Sequence, residues 1–101
     1  KSMDIVVHSA CLLHILNWKV ALREAARVTR KYLVLHRTPI SMHHRMRYFR
    51  KDAYGVRCLE IWFDEMELFE ELKKLSFDLK RVWTTSQTSE YVNHTYLLER
   101  K

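Results

Sequence analysis

Two short apolar runs, Ile5-Val6-Val7 and Tyr32-Leu33-Val34-Leu35-His36, stand on either side of one amphipathic helical pattern, and that order constrains the fold more than anything else in the chain. The first run is β-branched without polar alternation, the pattern of a strand buried on both faces of a parallel sheet, and the second reads as another buried strand. Between them Asn17 stands where a helix N-cap belongs. Trp18, Ala21, Leu22, Ala25 and Val28 then recur at helical spacing, with Lys19, Arg23, Arg27 and Arg30 on the other faces. Strand, helix and strand over so few residues make a βαβ unit, which sets the strands parallel and the crossover right-handed. Pro39 marks where the second strand is expected to end.

A chain of 101 residues has room for one hydrophobic core, and 48% apolar residues place it with globular rather than disordered proteins, so a single domain over 1–101 is expected. No apolar run approaches the roughly 20 residues of a membrane span. Cys11 and Cys58, with no CxxC spacing, fit small buried hydrophobes in a reducing compartment, and a cytoplasmic location is expected. Gly55 is the one glycine, which excludes a Gly-rich phosphate or dinucleotide loop within this chain. The opening Lys-Ser-Met-Asp leaves almost no lead-in to the first strand and reads as the start of a fragment or processed chain.

Residues 40–58, ISMHHRMRYFRKDAYGVRC, follow neither structural period and are expected to form a basic loop excursion over the sheet. Asp64 and Glu67 have the spacing of a capping box. Behind them Met66, Phe69, Leu72 and Leu75 read as the buried stripe of a second helix, Glu70 and Lys74 as an outer pair, and Lys73 and Lys74 as cations suited to its last turn. Trp62 and Trp83 are expected at the core edge beside this helix. Phe77–Trp83 and Tyr91–Arg100 are strand-like and, joined by a polar connection, antiparallel to each other.

The net charge is +6, and it is unevenly spread. Arg37, Arg45, Arg47, Arg50, Lys51 and Arg57 face a single acid, Asp52, whereas Glu60 to Glu71 contains acids and no base. Such blocks read most simply as solvated faces. His43 and His44, with no carboxylate or cysteine at ligand spacing, make a poor metal site, and no metal is expected.

The string DIVVHSACLLHI, with Leu12–Ile15 as an LxHI element, Glu24–Val28 as EAARV, Tyr32–His36 as a strand and WFDEMELFEEL opening a helix, resembles the C-terminal half of class I S-adenosylmethionine-dependent methyltransferases. The resemblance implies an α/β fold: a partial Rossmann-like methyltransferase sheet in which parallel strands, four to seven of seven, end in an antiparallel hairpin with helices packed on the sheet. It implies S-adenosylmethionine as cofactor and a small-molecule acceptor. The family's usual Pro-Gly-Gly before the fifth strand and Gly-Phe after the next helix are here Arg-Lys-Tyr and Ser-Phe. Members with a similar Arg-Thr-Pro after the fifth strand add the expectation of a sugar or lipid-sugar acceptor. The Gly-rich turn and acidic residue that hold the cofactor in the family have no counterpart, so this chain alone is expected to bind it weakly or not at all.

Ligands of open parallel sheets sit outside the carboxyl ends of the strands. His8, Ser9 and Ala10 leave the first strand there and are assigned to the cofactor's methionine end. His36 is the candidate catalytic base, needed only for a hydroxyl acceptor. Arg37, Thr38 and His14 are assigned to the acceptor. The plainer reading makes His8 and His36 satisfied structural residues and gives His14 the task of holding its turn. The free flank of Asp4–Val7 is expected to pair with a second copy, as a homodimer, or with a missing N-terminal half. Two readings of other classes stand beside this one. One is a basic nucleic-acid-binding module built on HHRMRYFRK, where aromatics interleave with bases. The other is a non-catalytic interaction domain.

Overall fold

The computed structural model describes residues 3–9, 14–43, 45–53 and 55–101. The βαβ unit forms as its pattern demands: β1 (Met3–Ser9) and β2 (Thr29–Ser41) lie parallel and are joined through α1 (Trp18–Val28). Next come β3 (Arg47–Ala53), β4 (Val56–Trp62), α2 (Glu65–Lys74), β5 (Phe77–Gln87) and β6 (Tyr91–Arg100). The main sheet has the order β1-β2-β6-β5, with β6 antiparallel to both its neighbours, so a parallel pair continues into an antiparallel hairpin. The fold class is thus the expected one.

Trp18, Leu22, Ala25 and Ala26 of α1 and Leu68 and Leu72 of α2 share one core cluster with Leu33, Leu35, Tyr96 and Leu98 of the sheet. Both helices therefore cover the same face. Burial on two faces, expected for β1, is not found among the described residues: Val6 packs on the core, while Ile5 and Val7 are each 60% exposed on the other side. β1 is also an edge strand of this sheet.

Helix α1 gives way directly to β2. Thr29 donates its hydroxyl to the Ala25 carbonyl at 2.6 Å, and Arg100 reaches from the end of β6 to the carbonyls of Thr29 and Ala26. A cation on the last carbonyls of a helix satisfies acceptors that have no intrahelical donor and complements its dipole. At the other end Asn17 caps through its backbone carbonyl, which accepts from Val20 and Ala21 at 3.1 Å; its side chain makes no cap bond. Asp64 likewise makes no side-chain cap bond, so the expected capping box is not formed.

The buried face of α2 is Leu68, Glu71 and Leu72, and Met66 is 70% exposed. At 3.6 residues per turn, six residues set Met66 about 120° from Leu72, too far round to share its face. Lys74 pairs with Glu71 at 3.7 Å instead of with Glu70. Ser76, at φ 67°, takes the left-handed position that glycine usually fills after a helix, and its N–H donates to the Lys73 carbonyl.

Most of the described residues of 40–58 are strand and not loop. β2 continues through Pro39 to Ser41, and β3 and β4 form an antiparallel pair of their own, turning at Gly55 with φ 77°. Pro39 does not break β2, because its carbonyl points to the Phe63 N–H at 2.9 Å, away from β6. Its missing N–H would have pointed the same way, so the ladder to β6 loses nothing. The Phe63 carbonyl accepts from Ser41 in return, at 2.8 Å, tying the end of this hairpin to the end of β2. Trp62 is buried, as a core-edge aromatic should be, whereas Trp83 is 44% exposed with Arg81 over its ring. No helix among the described residues is long and apolar enough to cross a membrane.

Candidate functional site at the carboxyl edge of the sheet

Because β5 and β6 run antiparallel to one another, one edge of the sheet collects the ends of β1, β2 and β5, the start of β6 and the N-terminus of α2. Two bulges shape this edge. In β2 both His36 and Arg37 oppose Thr95 alone, and in β5 Thr85 is an extra residue between Thr84, opposite His94, and Ser86, opposite Asn93. A bulge shifts the alternation of a strand by one residue and commonly re-aims side chains beside functional sites. Here the β2 bulge keeps Thr38 and Ile40 on the helix-covered face, where Leu33 and Leu35 already lie. Arg37 takes the strain, sitting at φ 56°. Its N–H donates to the Thr95 hydroxyl at 3.2 Å.

The residues read from sequence as site residues do not form one cluster. His36 shares the open face with Tyr32 and Val34, and its Nδ1 lies 3.0 Å from the Thr95 hydroxyl. His8 follows Val6 onto the opposite, helix-covered face, two residues along β1. Arg37 is exposed and Thr38 is buried. His14 donates from Nδ1 to the Leu59 carbonyl at 2.7 Å, which ties the approach to α1 onto β4. The backbone of Ser9 pairs with His36. Ala10, Cys11 and His44 lie outside the described residues. Among the described residues no group of three metal-ligating side chains comes together.

His8 Nδ1 is buried and has no hydrogen-bond partner among the described residues. Burial holds the imidazole below its usual pKa, because it penalises the cation. The unfolded chain, titrating near about 6.5, therefore binds more protons than the folded one once the pH falls below that value. Stability from a neutral His8 is complete above the unfolded value and drains away as the pH falls toward the folded one. His8→Leu is expected to lose less stability than the parent between about pH 7.5 and about pH 5, read as urea midpoints. Equal losses in the two proteins would show that His8 does not carry this sensitivity.

A cluster that sequence reading passed over lies on the helix-covered face. Tyr96, fully buried, donates its hydroxyl to Glu65 Oε2 at 2.6 Å, and His94 Nδ1 lies 3.2 Å from that oxygen and 3.1 Å from the Tyr96 hydroxyl. Burial first, then the hydrogen bond and charge of Glu65, raise the Tyr96 pKa far above the usual phenolic value, so the hydroxyl keeps its proton. With that proton committed to Glu65, both atoms facing His94 Nδ1 are acceptors. Neutral His94 therefore carries its proton on Nδ1 and leaves Nε2 bare. The one signal in the sequence was a histidine set in the alternating row Val92, His94, Tyr96, Leu98.

On the same side, a cavity of about 300 Å³ is lined by Ile40, Ser41, Glu65, Thr84, Gln87 and His94, among others. Arg45 and Arg50 are exposed on or beside the β3–β4 hairpin, and Arg47 stacks over Trp62 at 5.3 Å.

No protein-family model and no curated protein matches the chain. Solved structures do match its fold. Magnesium protoporphyrin IX methyltransferase (ChlM) from Synechocystis PCC 6803 with bound SAH is 17% identical, with a TM-score of 0.71 over 99% of this chain and 46% of its own. The same enzyme with bound SAM is 18% identical, with a TM-score of 0.68 over 99% of this chain and 40% of that one. The N-terminal domain of EvdMO1, in the presence of SAH and D-fucose, is 18% identical, with a TM-score of 0.68 over 99% and 48%. At such identities the likeness is one of fold, and the chain spans less than half the length of each of these solved proteins. Tested against such a cofactor, the described residues fit one side only. They offer the unpaired His8 Nδ1 near the end of β1, while the one glycine lies in the β3–β4 turn and cannot cradle a ligand at this edge.

Proposed function

We propose that this chain is the acceptor-side part of a cytoplasmic S-adenosylmethionine-dependent methyltransferase whose acceptor is a small, sugar-like molecule. The observation that carries the reading is the whole-chain likeness in fold to proteins solved with SAM or SAH bound. The D-fucose present with the EvdMO1 domain supports a sugar-like acceptor. When bound, the cofactor supplies an electrophilic methyl group. This chain's residues position the partners of that transfer: His8, Ser9 and Ala10 beside the cofactor, and Arg37, Thr38 and His14 toward the acceptor. His36 takes the hydroxyl proton at Nε2, which is bare in the tautomer that donates Nδ1–H to Thr95. A ligand lying across the strand ends reaches both faces, so His8 and His36 need not touch. The remainder of the cofactor site comes from further sequence or a second copy pairing at the β1 edge.

Titration calorimetry tests this. SAH is expected to bind this chain weakly or not at all, and to bind the longest product of its reading frame saturably and at least tenfold tighter. Absence of binding to both would end the methyltransferase reading.

A further inference from the structure

The geometry points to a second function for the helix-covered side of this edge: the cavity beside Glu65 and His94 is a binding site for a small, uncharged, hydroxyl-bearing ligand held by His94 Nε2. The ligand is of the class proposed above as acceptor, but the argument stands on the cavity's own lining and its test needs no methyl donor, so the two readings fail separately.

A volume of about 300 Å³ is at the low end for small-molecule sites, roughly 300–1,000 Å³, which limits the occupant to about one ring. Its lining selects further. Ile40 and Val92 give an apolar wall, and Ser41, Thr84 and Gln87 offer neutral hydrogen-bonding groups. Glu65 is the acidic side chain on the wall, and its Oε2 already receives the Tyr96 hydroxyl and faces His94 Nδ1. An anionic ligand would meet that carboxylate, and a neutral one would not. Among the described residues His94 Nε2 has no hydrogen-bond partner, and in the Nδ1–H tautomer it is an acceptor, so the ligand must bring a donor. A hydroxyl is the donor that the remaining neutral groups also match.

The chemistry is built in and not incidental. His94 is mostly buried, with a side-chain exposure of 19%, and a carboxylate and a phenol fix its tautomer from behind. That is how a histidine is prepared to accept from a ligand, its second nitrogen held by an acceptor. The bulge at Thr85 sits at this level, next to Thr84 on the wall.

The test is side-chain ¹⁵N NMR of the histidines in the full chain, titrated with D-fucose as probe and with D-glucuronate as its anionic counterpart. Free His94 is expected to show the Nδ1–H tautomer. D-Fucose should shift Nε2 saturably, while D-glucuronate binds at least tenfold more weakly. Thr84→Val, on an exposed strand, should weaken D-fucose several-fold with the fold intact. His94→Phe should abolish the binding, followed by backbone amide shifts at Val92 and Gln87. An Nε2–H tautomer, no saturable shift with D-fucose, unchanged binding in Thr84→Val, or equal binding of D-glucuronate would each overturn the assignment.

Discussion

Tyr96→Ala lowers the unfolding free energy by about 3–5 kcal/mol, the range for deleting a large buried aromatic side chain. Tyr96 is wholly buried, meets Phe69 edge-on at 5.4 Å, and lies between Leu35 and Val82 in the two ladders it joins. Truncation leaves a cavity where α2 packs on β6, and the surrounding strands are too well paired to close it. It also strips Glu65 of a charge-assisted hydrogen bond. Tyr96→Phe isolates that second loss: the ring stays and the bond goes, at about 1.5–3 kcal/mol for a hydrogen bond to a charged group. Urea unfolding of the three proteins separates packing from hydrogen bonding. A Tyr96→Phe cost below about 0.5 kcal/mol would mean that the Tyr96–Glu65 bond contributes nothing net and leaves the phenol no part in fixing His94. Since the Tyr96 pKa is raised, the phenol stays protonated and the cost should hold into mildly alkaline solution.

Much of the scaffold was readable in local patterns, and the parts that were not depend on contacts far apart in sequence. Ile5-Val6-Val7, the helical spacing from Trp18 and the run at Tyr32 each announce their element, and right-handed crossover fixes their arrangement. The β3–β4 hairpin hid because its strands ladder with each other and not with the strands of the main sheet. Its bases and aromatics, Arg47, Tyr48 and Arg50 among them, follow no clean alternation and read as a loop. Pro39 misled because its effect depends on which side of the strand its N–H would face, which a sequence does not show. Met66 was a phase error on α2. Burial of β1 on both faces was inferred from composition, but the face carrying Ile5 and Val7 has no cover among the described residues.

The site divides the same way. Strand ends are visible in sequence, so His8 and His36 could be placed at the carboxyl edge of the sheet. Which face each takes follows from strand register, and the bulge opposite Thr95 becomes visible only when β6 is paired with β2. The Glu65, His94 and Tyr96 cluster joins residues 29 and 31 positions apart through the docking of α2, and no local signal carries that.

Phe63→Ala is expected to cost about 3–5 kcal/mol as well, and to do so by uncoupling the β3–β4 hairpin. Phe63 is completely buried and meets the ring of Trp18 edge-on at 5.1 Å, while its backbone exchanges hydrogen bonds with Pro39 and Ser41. One residue thus joins the hairpin, the start of α1 and the end of β2. Such an aromatic pair adds about 0.5–1.5 kcal/mol to the burial of its rings. The stability loss alone would not distinguish this junction from any other core position. The distinguishing result is the pattern of amide exchange: residues 47–62 should lose protection more than Leu33, Leu35 and Leu98, because the hairpin can open while the main ladder stays closed. Phe63→Leu, which keeps most of the volume, should restore much of that difference and provides the measurement if the alanine variant does not fold. Uniform loss of protection across both sheets would mean that the hairpin unfolds only with the whole protein. The hairpin would then be fixed to the end of β2 and not a part that can move against it.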